Sequence, residues 1–365
     1  MRLCKTKAAE RRAKRLLKRG RAPQCQIAQK GSSSSSHSSV SSSSSLFSSS
    51  STSSAVAGTY DSLSDTTVRS QFLLLGETGP VVGAAKVFLE EEPLDITSIA
   101  VNLTTEAQSV DSFLVYDETR RFLGRALLDP SASTNRKYVL TLASGTATVE
   151  RRQDYSFYMR PVLRKYDEGG LGNQIVEIGN FVFEGYGVWS SQKYTKGSSE
   201  NFPAFLTARS MVTQVRNALK ATDLLVAGPQ RTLASFTFDG TKSDPMAHID
   251  VLTLQFQIGE TGGVQLSNIF LRVDGSDERQ TCNATASIIT CAIPVTSASL
   301  ADGPRTITIS GDVFVPAVQD ASLFLSLNNP GDILTAGSVE WSDGTSTFDW
   351  IAVASSVAQG TVWKY

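Results

Sequence analysis

Two cysteines nine positions apart, Cys282 and Cys291, are the pair whose spacing most directly implies chemistry. The residues between them read as the ends and turn of a hairpin, a geometry that brings two Cβ atoms within bonding reach. A bridge there fits an exported protein in an oxidising compartment. Two free buried thiols are the alternative. The sequence holds no Cys-x-x-Cys pair, and no His lies near these cysteines to complete a zinc site. Cys4 and Cys25 fall in the N-terminal segment, and no apolar stretch precedes Cys25 to make it a lipid anchor.

Histidine chemistry is nearly excluded by supply. The chain has two His, one of them inside a serine tract. The other, His248, precedes an apolar strand, where a structural edge or core role is expected rather than a place in a Ser-His-Asp triad. No nucleophile elbow, phosphate loop or zinc-protease motif occurs. Glu90, Glu91 and Glu92 form a carboxylate run before Pro93, expected to be a solvated turn. The segments 239–244 and 274–278 look superficially like calcium loops. Neither carries the full ladder of ligands, and Asp-Gly is also what tight hairpin turns prefer. Asp274, Asp277 and Glu278 are the candidate ligands if weak extracellular calcium binding occurs. No other cofactor is expected, and the chain is read as non-enzymatic.

Aromatic residues crowd one region: Tyr155, Phe157, Tyr158, Phe181, Phe183, Tyr186 and Trp189. A sugar site would present a flat exposed aromatic row. Phe181 and Phe183 share one strand face, so core packing is expected for the group. Trp341 and Trp350 read as core or rim.

Charge is divided unevenly. Residues 1–30 hold eleven Lys/Arg and one Glu, while the other 335 residues hold 23 basic and 34 acidic side chains. Arg11, Arg12, Lys14, Arg15, Lys18, Arg19 and Arg21 lie on a stretch of helix formers that suits nucleic acid or an anionic membrane surface. A disordered basic tail is the plainer expectation. The longest apolar run there, Leu16-Leu17, falls short of the ~7–15 residues of a signal peptide. Residues 32–54 are serine at 18 of 23 positions, a composition that cannot offset chain entropy by burial and reads as a flexible linker. No run of apolar residues is long enough for a membrane-spanning helix.

The elements that would position all these groups are strands. From about residue 70, short runs rich in Val, Ile, Leu, Phe and Thr recur between turn residues. Ile99, Val101 and Leu103 alternate with polar or small residues, as do Ile307 and Ile309, which assigns them to a core face. The pattern also repeats. Residues 94–101 resemble 249–256, residues 110–117 resemble 266–274, and residues 185–190, ending in Trp189-Ser190, resemble 337–342, ending in Trp341-Ser342. The expected organisation is a basic tail over 1–31, a Ser-rich linker over 32–69, one sandwich over 70–205 and another over 225–365. The connector over 206–224 is more helical in composition, because Val212, Val215, Leu219 and Leu224 fall near a 3.6-residue period. An extended segment feeding the second sandwich is the alternative. The fold class is therefore all-β, two tandem Ig-like β-sandwiches after a disordered basic and Ser-rich N-terminal region.

The lead-in Gly228-Pro229, residues 233–238, residues 267–275 and residues 305–313 together resemble repeated Ig-like domains of cell-surface, S-layer-like proteins of candidate-phyla bacteria. That resemblance implies a surface structural role without catalytic residues. The expected function is a non-catalytic cell-surface structural or adhesive protein, located at the cell surface or outside it. Its expected partners are cell-surface molecules or neighbouring protein subunits, with a glycan also considered. Alternatives are a coat-like assembly protein whose basic arm over 1–30 binds nucleic acid, and a carbohydrate-binding module. A sandwich fold alone decides none of these.

Overall fold

Short strands with alternating burial make up most of the described residues. A computed structural model describes residues 71–134, 136–199, 202–316, 320–352 and 357–365, and contains no α-helix among them. Residues 1–70, with the basic and Ser-rich segments, Cys4 and Cys25, lie outside the described residues. The first half runs β1 (Phe72–Leu74), β2 (Gly83–Phe88), β3 (Leu94–Leu103), β4 (Val110–Tyr116), β5 (Phe122–Leu128) and β6 (Lys137–Thr141). It continues with β7 (Thr148–Val149), β8 (Asp154–Leu163), β9 (Ile175–Val176), β10 (Ile178–Gly187), β11 (Lys193–Ser199) and β12 (Phe205–Ala208). The second half runs β13 (Ser210–Asn217), β14 (Thr222–Leu224), β15 (Gly228–Lys242), β16 (Asp250–Thr261), β17 (Gln265–Val273), β18 (Gln280–Thr281) and β19 (Asn283–Ala284). It ends with β20 (Ile288–Ala292), β21 (Arg305–Phe314), β22 (Ser322–Leu327), β23 (Val339–Ser342), β24 (Thr347–Phe348), β25 (Ala358–Gln359) and β26 (Val362–Lys364).

The first sandwich is one sheet, in the order β11-β10-β3-β6-β5-β4-β8-β2, doubled over on itself. Phe157 of β8 meets Phe183 of β10 with ring centroids 5.2 Å apart. Phe113 of β4 meets Tyr138 of β6 at 5.0 Å. The second sandwich has two sheets, β13-β15-β21-β17-β18 and β14-β26-β22-β16-β20-β19, the latter extended by β23, β24 and β25. Phe236 of β15 stacks on Phe256 of β16 across its core. The fold is all-β, two sandwiches in tandem, within the unit that spans residues 55–365.

The repeat is visible in the pairing. β3 lies beside β6 and β10, as β16 lies beside β20 and β23; β8 lies between β2 and β4, as β21 lies between β15 and β17. Even the irregularities coincide. The ladder skips Thr97 in β3 and Leu252 in β16, and each skip re-phases the alternation. Ile96, Ile99 and Val101 are buried in one half, and Val251, Leu254 and Phe256 in the other. The expected match of Trp189 with Trp341 is corrected. Gly185 pairs with Ile96, and Trp341 pairs with Val251, so Gly185 holds the place of Trp341. Trp189 lies beyond the end of β10, and a Gly-x-x-x-Trp spacing carries no strand register.

The helical reading of 206–224 is also corrected. This stretch contains the end of β12, then β13 and β14; β13 pairs with β15, and β14 pairs with the C-terminal β26. A register slip between Val212 and Gln214 turns both Val212 and Val215 inward. That bulge reproduces the i, i+3 spacing of a helix within a strand.

The two halves meet through β1. It pairs in parallel with β12 and sends Leu73 into the first core. Phe72 points the opposite way, into the second core. There it stacks on Trp350 at 4.1 Å and meets the edges of Phe348 and Trp341 at 5.0 and 5.3 Å. Beside this, Arg209 Nε and Nη2 donate to the two carboxylate oxygens of Asp244, both at 2.7 Å. The Arg209 guanidinium lies 4.2 Å from the Tyr166 ring centroid, and its backbone N–H donates to Asp343 Oδ2 at 2.9 Å. The fork from Arg209 holds the Asp244 carboxyl down at about 2.

Candidate functional site

The feature that stands out lies at the end of the first sandwich, where the β10–β11 hairpin rests on the turn between β2 and β3. The carboxyl of Glu92, on that turn, is a hub. Its Oε2 accepts the backbone N–H groups of Trp189 and Ser190, each at 3.0 Å. Its Oε1 accepts the Ser190 hydroxyl at 2.5 Å and the Tyr194 hydroxyl at 2.6 Å. These hydroxyl bonds, helped by the two backbone donors, lower the Glu92 pKa to about 2. The same contact raises the Tyr194 hydroxyl above its usual range, chiefly through its bond to Glu92. Glu90 and Glu91 have no such role, so the expectation of a wholly solvated carboxylate run is corrected at Glu92. Three acidic residues in a row carry no signal for which one turns onto the hairpin; its partners sit about a hundred residues away.

The hairpin is shaped for this seat. A Cβ on Gly187 would fall 2.3 Å from Glu92 Oε1, so only glycine lets the strand lie against the carboxylate. Val188 N–H donates to the Pro93 carbonyl at 3.0 Å, and Ser191 N–H to the Gly187 carbonyl at 2.8 Å. Ser191 takes φ 57°, the left-handed turn conformation.

On this mount the hairpin displays apolar side chains to solvent. Trp189 is 65% exposed, Val188 51% and Tyr186 46%. The Arg151 guanidinium stands 5.9 Å from the Trp189 ring centroid, while its Nε donates to the Glu90 carbonyl at 3.0 Å. The aromatic group therefore divides. Phe157, Phe181 and Phe183 are core, as the strand pattern predicts, whereas Tyr186 and Trp189 face out. Trp341 and Trp350 are buried.

A disulfide joins Cys282 and Cys291, with Cα atoms 4.4 Å apart. Cys282 sits where the chain passes from β18 of one sheet to β19 of the other, and Cys291 lies on β20. The bridge fastens that crossing. In the first sandwich the single strand β5 pairs with both β4 and β6 and makes the same crossing unbridged.

The remaining candidates are dispersed. Asp274, Asp277 and Glu278 are exposed on the turn after β17. There Asp274 N–H donates to the Thr306 carbonyl, and Glu278 N–H donates to Ser276 Oγ. Among the described residues, no three His, Cys, Asp or Glu side chains are grouped to hold one metal ion. Asp239 and Gly240 lie within β15, not on a loop. His248 Nδ1 lies 3.6 Å from Asp250 Oδ2, and the Ser210 hydroxyl donates to the His248 backbone carbonyl rather than to its ring. Arg11, Arg12, Lys14, Arg15, Lys18, Arg19 and Arg21 lie outside the described residues. No helix among the described residues is long and apolar enough to cross a membrane.

The sequence matches no family model and no curated protein. Among solved structures, the C-terminal domain of the Streptococcus agalactiae AgI/II polypeptide BspA aligns at 7% identity, over 84% of this chain and 99% of that one, with a TM-score of 0.25. The C-terminal domain of the Streptococcus pyogenes antigen I/II-family protein AspA aligns at 8% identity, over 84% and 98%, with a TM-score of 0.26. The collagen adhesin CNA from S. aureus aligns at 7% identity, over 81% and 97%, with a TM-score of 0.20. Scores this low assign no function.

Proposed function

We propose that this chain is a non-catalytic binding protein of the cell surface or extracellular space, whose sandwiches hold the Tyr186–Trp189 hairpin as a contact surface. One observation carries the reading: the hairpin backbone behind an exposed Trp is fixed by a carboxylate that accepts four hydrogen bonds, one of them from the Trp189 N–H. Exposing a large apolar ring and rigidifying its support makes sense for recognition, because Trp and Tyr anchors dominate contact energies and preorganisation lowers the entropy lost on binding. The Cys282–Cys291 bridge supports an oxidising setting. The eleven Lys/Arg of residues 1–30 support a separate contact with an anionic partner, nucleic acid or membrane.

Two measurements test this. Protease shaving of intact native cells should release peptides from 71–365, and beads coated with the full chain should adhere to target surfaces less well when Trp189 is replaced by Ala. A chain fully protected from shaving, or adhesion indifferent to Trp189, would overturn the reading.

A further inference from the structure

We infer that the exposed Trp189 ring at the tip of the β10–β11 hairpin takes a neutral glycan, with the flat C–H face of one sugar ring laid on it. This rests on the binding role proposed above and names its ligand class. Three properties of the site select a sugar over other partners.

The first is its shape. Arg151 stands over the Trp189 ring, yet the side chain is still 65% exposed. A ring backed by a cation and open elsewhere offers one flat contact face. The ring quadrupole leaves that face negative, and the polarised C–H groups of a pyranose complement it.

The second is its size. One exposed ring on a hairpin falls well short of the ~800 Å² per partner of a stable protein interface. It suits one or two sugar rings.

The third is its collar. Arg151, Gln192, Lys193, Glu90 and Glu91 are exposed around the hairpin and the turn beneath it. They supply donors and acceptors of both charge signs, which suits hydroxyl groups that both give and take hydrogen bonds. The two cations and two carboxylates of this collar balance, so it offers an anionic membrane no net attraction. Glu92 takes no part in contact, because its oxygens are already filled by Trp189, Ser190 and Tyr194. Its role is to hold the backbone that carries the ring.

The full chain should be titrated with neutral oligosaccharides of glucose, mannose, galactose and N-acetylglucosamine, following tryptophan emission and heat. The expected result is saturable binding of at least one series. Trp189→Ala should weaken it more than about tenfold, as loss of an anchor residue does, with an unchanged melting temperature. Trp189→Phe should keep part of it. Glu92→Gln should weaken it without moving the melting temperature as far as a core substitution does. Absence of binding by all series at millimolar concentration overturns the inference, as does binding indifferent to Trp189→Ala. If bead adhesion still depends on Trp189 while no oligosaccharide binds, the ligand belongs to another class. The glycan assignment then fails, and the surface-binding reading stands.

Discussion

The Glu92 carboxylate accepts the Trp189 backbone N–H at 3.0 Å across 97 positions of sequence. The bond ties the turn before β3 to the hairpin after β10, so the most exposed tryptophan among the described residues stands on a fixed base. An isolated hairpin tip fluctuates, and ordering it on binding costs free energy for each immobilised side chain. The four donors on Glu92 place that cost in folding instead.

Acid should loosen this base. The folded Glu92 pKa of about 2 lies below its ordinary value of 4.5. A depressed carboxylate stabilises the folded form fully above the ordinary value and loses that contribution as pH falls toward the folded one. The Trp189 signal, taken as the emission difference between the natural chain and Trp189→Phe, should shift as pH approaches about 2, where folded Glu92 takes up its proton. In Glu92→Gln the shift should vanish and the hairpin amides should exchange faster at neutral pH. A pH-independent Trp189 signal in the natural chain would deny Glu92 this role.

Reduction of Cys282–Cys291 should weaken the second sandwich. The loop it closes is short, so the expected loss is about 2–3 kcal/mol. Denaturant unfolding with and without reductant, and of Cys282→Ala/Cys291→Ala, would show it as a lower midpoint. An unchanged midpoint would mean that the crossing from β18 to β19 is held by packing alone.

What could be read from the sequence was whatever strand periodicity encodes. Ile99, Val101, Ile307 and Ile309 alternate cleanly, and all are buried. The match of residues 94–101 with 249–256 survives down to a shared bulge. Misreadings arose where a bulge altered the period or where a partner was distant. Val212 and Val215 imitate a helix because a register slip separates them. Trp189 and Trp341 share flanking glycines but not a place in the ladder. The docking of Glu92 onto the hairpin depends on Ser190 and Tyr194, which no local pattern links to it. Phe72, in β1, gives no sign in the sequence that its ring belongs to the far sandwich.

The repeat also shows where a second bridge would fit. Phe113 pairs with Ala126, and the Cys282 N–H donates to the carbonyl of Ile269, the counterpart of Phe113. The register Leu127 to Val139 brings Ala126 opposite Leu140, as Asn283 to Thr290 brings Cys282 opposite Cys291. Ala126 and Leu140 are both buried. Ala126→Cys/Leu140→Cys should therefore oxidise spontaneously and raise the unfolding midpoint. Free thiols counted under denaturing conditions would check it. Two additional titratable thiols would mean that the halves do not superpose at β5 and β6.

Phe72 should couple the two sandwiches. Its ring fills a slot formed by Trp341, Phe348 and Trp350, while its neighbour Leu73 is packed in the first core. Phe72→Ala would remove the ring and leave a cavity, at a cost of about 3–5 kcal/mol. Because β1 holds both cores, that loss should appear as altered cooperativity as well as a lower melting temperature. Calorimetry of the natural chain is expected to give one dominant transition and that of Phe72→Ala two. Arg209→Ala should act in the same direction by freeing Asp244 and uncovering Tyr166. The residues flanking the junction sharpen the test. A fragment beginning at residue 225 lacks β13 and β14, and one ending at residue 205 cuts β12 from its pairing with β1. Both should be less cooperative than the intact chain. If they unfold as sharply as the whole, and Phe72→Ala leaves a single unshifted transition, the sandwiches are independent and the ring contacts at the junction carry no coupling.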